Sequence, residues 1–208
     1  MLPGPTLVHA CPSCGGGICF GTLDSGNTFG IQVWTDGYYH APMMPHQAHF
    51  VACPHCKVVS VSRAGKRLAT VPAWENPAAA VPGAKPPAAA RMAALVAVAR
   101  REDTAPADAL QARIEAWWAG NDRRRHMAIE QPAHTRPERA NMEALAALLA
   151  RRRKPEDRLM RAELLRELGR FDEALEVLAG KFPEPMQHAV KTIHMLAEAH
   201  DWQVGMLV

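Results

Sequence analysis

Apolar and polar residues alternate in short runs through the N-terminal part of the chain, and three of these runs predict β-strands over 18–23, 28–35 and 58–62. Asp24-Ser25-Gly26-Asn27 and Asp36-Gly37 supply turn residues between them. Ala64-Gly65-Lys66 predicts a further hairpin leading into a strand over 67–71. A small, twisted antiparallel sheet follows. The alternation stops near residue 72, where Pro72, Pro77, Pro82, Pro86 and Pro87 fall among alanines and predict an extended linker over 72–87. Beyond it the apolar residues recur at helical spacing. Helices are expected over 88–102, 106–119, 137–150, 155–168, 171–179 and 186–200, with Gly120, Gly169 and Gly180 as stops and a proline near the first turn of several. The expected fold class is α+β: a β domain over 1–71, a linker, and an α-helical domain over 88–208.

Composition narrows this picture only a little. With 208 residues, 48% of them hydrophobic, the chain resembles an ordinary globular protein. Its formal net charge of +3 does not demand a polyanionic partner. The apolar run over 92–99 is too short to cross a bilayer and ends in Arg100-Arg101, so it reads as a core-facing helix. Met1-Leu2-Pro3-Gly4-Pro5 lacks a basic stretch followed by an apolar core, and the expected location is cytoplasmic.

Cysteine spacing carries the most specific chemistry. Cys11-Pro12-Ser13-Cys14 and Cys53-Pro54-His55-Cys56 each place two thiols on one tight turn. Two such turns brought together supply four soft ligands to a structural Zn²⁺. Thioredoxin-like redox motifs and structural disulfides are the alternatives. The first would need a strand-to-helix setting, and the second suits a secreted chain. Four thiolates leave no open position for an activated water, so the zinc is expected to be scaffold rather than catalyst. His9, His46, His49 and His55 are surplus donors that could replace a cysteine, and Cys19 reads as a small buried hydrophobe.

Both cysteine turns, with Gly15 to Gly17 after the first, resemble the knuckles of the zinc-ribbon family, although the second has Lys57 where glycine is common. That resemblance implies a small β-sheet closed by the metal. In the helical half, the stretch from Arg161 to Leu175, with Leu168-Gly169-Arg170-Phe171-Asp172-Glu173-Ala174-Leu175 as its most specific part, resembles one tetratricopeptide repeat. The likeness implies that Ala162 and Ala174 lie where paired helices touch, and that Leu165 and Leu178 fill the layer between them. A lone helical hairpin in a bundle is the competing reading, since repeat arrays normally need about three copies. The combination is similar to bacterial proteins without an established role, and implies architecture rather than activity.

Between the cysteine turns lie Trp34, Tyr38, Tyr39, Met43 and Met44, which could present an adaptable surface to a partner; packing under the sheet is the plainer reading. Exposed aromatics could also stack nucleobases, with Lys57, Arg63, Lys66 and Arg67 near the phosphates. Trp117 and Trp118 cannot share one face of a helix, so one is expected in the core and the other at a seam or partner surface. Arg123-Arg124-Arg125 and Arg151-Arg152-Arg153-Lys154 fall near expected helix C-termini, where cations complement the macrodipole. His194, Glu198 and His200 are poorly spaced to grip one metal and read as solvated surface. No G-x-S-x-G, P-loop, G-x-G-x-x-G or H-E-x-x-H motif occurs. The expected function is therefore a non-catalytic, zinc-stabilised adaptor that binds another protein. A nucleic-acid-binding regulator and an enzyme with an unrecognised site are the alternatives.

Overall fold

The computed structural model describes residues 1–125, 127 and 131–207, and has both antiparallel sheets and helices, an α+β chain. It divides into two compact units: Met1–Ile31 with Ala41–Glu102, and Gln32–His40 with Asp103–Val208.

In the first unit, β1 (Leu2–Ala10) lies between β2 (Gly17–Ser25) and β7 (Arg67–Val71), antiparallel to both. β1 was not among the expected strands, and Pro3, Gly4 and Pro5 are residues that strands usually avoid. The strand accommodates them through register shifts at Leu2/Pro3 and Gly4/Leu7, where the ladder tolerates residues that cannot donate. Gly4 leaves room there for a neighbouring side chain, since a Cβ would sit 2.5 Å from Thr22 Oγ1.

A second antiparallel sheet orders β6 (Val59–Val61), β5 (Phe50–Ala52) and β8 (Ala88–Ala89). Residues 72–87, expected as linker, belong to this unit. They contain the short helix α1 (Pro77–Ala80), capped by Asn76, and Lys85 exchanges backbone hydrogen bonds with Gly17 and Cys19. α2 (Met92–Arg100) follows and buries Leu95 at 2% exposure.

The second unit is built on α3 (Pro106–Arg125), α4 (Arg136–Leu149), α5 (Pro155–Glu167), α6 (Phe171–Leu178) and α7 (Gln187–Glu198). α3 runs through Gly120, an expected stop, and the missing side chain leaves room for Glu138, whose Cγ lies 3.3 Å from where a Cβ would stand. Ile114, Trp117, Met142, Leu145, Leu149 and Leu164 form the core between α3, α4 and α5. α5 and α6 make an antiparallel pair in which Ala162 and Ala174 are fully buried. Between them Gly169, at φ 79°, and Arg170 send their N–H groups back to Arg166 and Leu165, a Schellman closure.

The segment expected as a long strand over 28–35 is in fact short. β3 (Gln32–Trp34) pairs with β4 (Tyr39–His40) and with β9 (Met206–Leu207), so this hairpin belongs to the helical unit.

Candidate metal centre

The two cysteine turns occupy equivalent places in two hairpins: β1, turn, β2 and β5, turn, β6. Each turn closes in the same way. Cys11 N–H donates to Gly16 O at 2.8 Å and Gly15 N–H to Cys11 O at 2.9 Å; Cys53 N–H donates to Val58 O at 2.9 Å and Lys57 N–H to Cys53 O at 3.0 Å. Both therefore need a left-handed residue at the same step, which is Gly15 (φ 74°) in one and Lys57 (φ 65°) in the other. Lys57 holds that conformation while its ammonium donates to Pro54 O at 2.8 Å.

The turns bring their sulfurs to one point. All four Sγ atoms lie within 4.8 Å of one another, with Cys11 to Cys56 and Cys14 to Cys53 both at 3.8 Å. A tetrahedron of metal–thiolate bonds of about 2.3 Å has edges of about 3.8 Å, whereas a disulfide would need about 2.05 Å. The donor set thus fits a tetrahedral ion.

Backbone dipoles prepare the sulfurs to carry negative charge. Ser13 N–H points at Cys11 Sγ and His55 N–H at Cys53 Sγ, each at 3.4 Å. Burial raises the Cys53 thiol, but N–H groups of Cys56 and His55 outweigh it and hold the thiol down to about 6. Cys14 goes the other way. A Gly16 N–H lowers it, yet contacts with Cys56, Cys11 and Cys53, together with burial, push it up to about 11. Four thiols this close cannot all ionise without a cation among them, and a divalent ion removes the repulsion.

His55 is not a ligand among these four. Its Nε2 lies 3.1 Å from Gly17 O and its ring covers Gly16, where a Cβ would come within 2.6 Å of Cδ2. His9 Nδ1 is 2.8 Å from Gly65 O. Cys19 is half-buried and outside the cluster; burial raises its thiol.

The aromatic insert is divided. Met43, half-buried, and Met44, exposed, sit in the first unit, while Trp34, Tyr38 and Tyr39 sit with the helices. Trp34 and Trp117 are core residues at 3% and 2% exposure. Trp118 is half-buried and its indole N–H donates to Asp36 O at 2.9 Å. Tyr38 lies beneath the Arg125 guanidinium, 4.1 Å from ring centroid to Cζ.

Sequence reasoning missed a buried polar cluster in the helical unit. Asp36 is ion-paired to Arg125 and accepts from Asn121 Nδ2 at 3.1 Å. Asn121 also donates to Glu167, which accepts from the Trp117 indole N–H at 3.2 Å and has His134 Nε2 3.3 Å away. Arg166 is clasped by Glu163 and donates to the Asp201 and Gln203 carbonyls. Burial pushes the Asp36 carboxyl up, against the pull of Arg125. Arg124 and Arg125, expected near a helix C-terminus, do end α3 and are buried there: Arg124 donates to the carbonyls of Gly120, Pro132 and Ala133 and to Glu138. A signal was present. Asn121 and Arg124 continue the stripe of Ile114 and Trp117, so polar residues occupy core-facing positions of α3.

The described residues define an α+β chain with a four-thiol cluster suited to a metal ion, and no helix among them is long and apolar enough to cross a membrane. No family model, curated protein or solved structure matches the chain.

Proposed function

We propose that this chain is a non-catalytic interaction module whose first unit is a zinc ribbon and whose helical unit is tetratricopeptide-like. The observation that carries the reading is the tetrahedral spacing of the four sulfurs, two pairs of them 3.8 Å apart. Four thiolates complete the coordination of Zn²⁺, so the ion braces two hairpins and has no position left for a substrate. Two adjacent loops of the same unit carry exposed apolar side chains: Phe29 at 84%, Ile31 at 41% and Met44 at 39%. The loops run side by side, since a Cβ on Gly26 would lie 2.4 Å from Met43 O. Apolar residues held on a metal-braced scaffold suit a protein partner.

The test joins metal content to binding. Elemental analysis of the purified chain should find one zinc per chain, lost on Cys11→Ser with Cys14→Ser. Proteins captured by the full chain in its native host should be released by Phe29→Ser with Met44→Ser, which leave the ligands intact. Metal-free wild-type protein, or identical capture by the surface variant, overturns the proposal.

A further inference from the structure

The helical unit holds a second feature that the metal centre does not use. A cleft of about 680 Å³, within the range of small-molecule sites, is lined by Arg151, Arg152, Arg153, Arg158 and Arg161, facing the single carboxylate of Glu176. We propose that this cleft binds a small, multiply charged oligophosphate: a free polyphosphate chain or the phosphate arm of a nucleotide. The inference is independent of the zinc reading, because every residue it uses lies in the helical unit.

The arginines differ in how far their charges are already committed. Arg152 donates through Nε to Asp157 at 2.8 Å, across an exposed pair. Arg158 is part of the cleft wall. Its Nη1 and Nη2 donate to the carbonyls of Lys181 and Val177 at 3.1 and 3.2 Å, and its guanidinium lies over the Phe182 ring, 4.4 Å from the centroid. Gly180 makes room for it, because a Cβ there would be 1.9 Å from Arg158 Nη2. A guanidinium has five N–H donors, so a fixed Arg158 keeps some directed away from those two carbonyls, with little rotamer entropy left to lose. Arg151 and Arg153 are exposed, and among the described residues neither is drawn into an ion pair.

Cations gathered in a concavity repel one another unless an anion joins them, and guanidinium forks match phosphate oxygens two at a time. The lining is otherwise Leu149, Ala150, Val177 and Gly180, with no aromatic ring among the described residues that line the space. Recognition of a nucleobase by stacking is therefore not provided for, which favours the phosphates as the recognised part and disfavours single-stranded nucleic acid.

The test titrates sodium tripolyphosphate into the full, metal-loaded chain by calorimetry at about 50 mM salt, where surface charge is only partly screened. Saturable binding is expected. Arg151→Ala with Arg153→Ala and Arg161→Ala should weaken it about a thousandfold, roughly tenfold for the charge-assisted hydrogen bond lost with each arginine. The three arginines changed to lysine should bind at an intermediate strength, which separates a missing charge from a damaged fold; unchanged helical circular dichroism checks the same point. Lys191→Ala, outside the cleft, should leave the affinity unchanged. Tighter binding of long-chain polyphosphate than of ATP would identify the free polymer as the ligand, and the reverse would identify a nucleotide arm. No binding, equal affinity in the triple alanine variant, sulfate binding as tightly at matched ionic strength, or a preference for an acidic peptide or an oligonucleotide overturns the proposal.

Discussion

Replacing Asp36 by alanine tests whether the 32–40 hairpin is a structural part of the helical unit. The Asp36 carboxylate is wholly buried and pairs with Arg125, whose side chain is 1% exposed. Removing it strands a guanidinium in the interior, and breaking such a buried pair from one side costs about 3–5 kcal/mol. Arg125 keeps two other acceptors, Trp118 O at 3.0 Å and Asp122 at 2.7 Å, and the latter is 65% exposed. Those two bonds place the expected loss at the lower end, about 3 kcal/mol. Asn121 loses one acceptor but retains Glu167 at 3.0 Å. Asp36→Asn, which keeps an acceptor while removing the charge, should cost less, about 1.5 kcal/mol.

Urea denaturation followed by tryptophan fluorescence reads this unit selectively, because Trp34, Trp117, Trp118 and Trp202 belong to it and Trp74 alone does not. The decisive comparison adds Arg125→Met. If the pair is coupled as the geometry implies, the double variant is more stable than Asp36→Ala alone, since no buried charge is left without its partner. A loss below about 0.5 kcal/mol for Asp36→Ala, which is what a surface site would give, refutes the reasoning. So does a double variant whose loss equals the sum of the single ones.

Cys53→Ser removes a buried thiol of the four-sulfur cluster, and amide exchange measured by mass spectrometry should then rise in β1, β2, β5 and β6 while α3 to α5 keep their protection; unchanged exchange would mean that the thiols do not brace the hairpins. Lys57→Gly relieves a left-handed lysine, so the thermal midpoint of the first unit should rise by the equivalent of about 1 kcal/mol, whereas Gly15→Lys should lower it. Burial raises the Glu138 carboxyl, but hydrogen bonds from Arg124 and the Thr135 N–H outweigh it and hold it below the ordinary glutamate range. Its folded form therefore binds a proton less readily than the unfolded chain. The stability it confers is present above about pH 4.3 and is lost as the pH falls through the lowered folded value. Denaturation midpoints taken between pH 6 and 3 should accordingly fall less steeply in Glu138→Gln than in the wild type.

How much of this was legible in the sequence depended on whether the information was local. Helix starts were, because Pro106, Pro155 and Phe171 begin their helices where proline and the Gly169-Arg170 stop direct them. The cysteine cluster was legible in part, because the spacing of two cysteines on a turn fixes where their sulfurs point. That two turns 39 and 45 residues apart would meet was an inference from chemistry, and the sulfur positions agree with it. β1 was hidden by Pro3, Gly4 and Pro5, whose composition speaks of a loop while the register shifts of the strand absorb them.

The hairpin of Trp34, Asp36 and Tyr38 was illegible for a deeper reason. Its place is decided by partners such as Asn121, Arg125 and Arg166, which lie 85, 89 and 131 residues away from the atoms they bond. Hydrophobic periodicity describes which face of an element is covered, not which distant polar group it meets. A burial pattern in which Asn121, Arg124, Glu163 and Arg166 stand at core positions is costly unless each finds its complement, so such residues in an otherwise apolar stripe demand partners from elsewhere in the chain. The Asp36 carboxylate and the Thr35 hydroxyl meet part of that demand. The hairpin over 32–40 is therefore held in the helical unit through polar chemistry, although its neighbours in sequence on both sides belong to the unit that folds around the sulfurs.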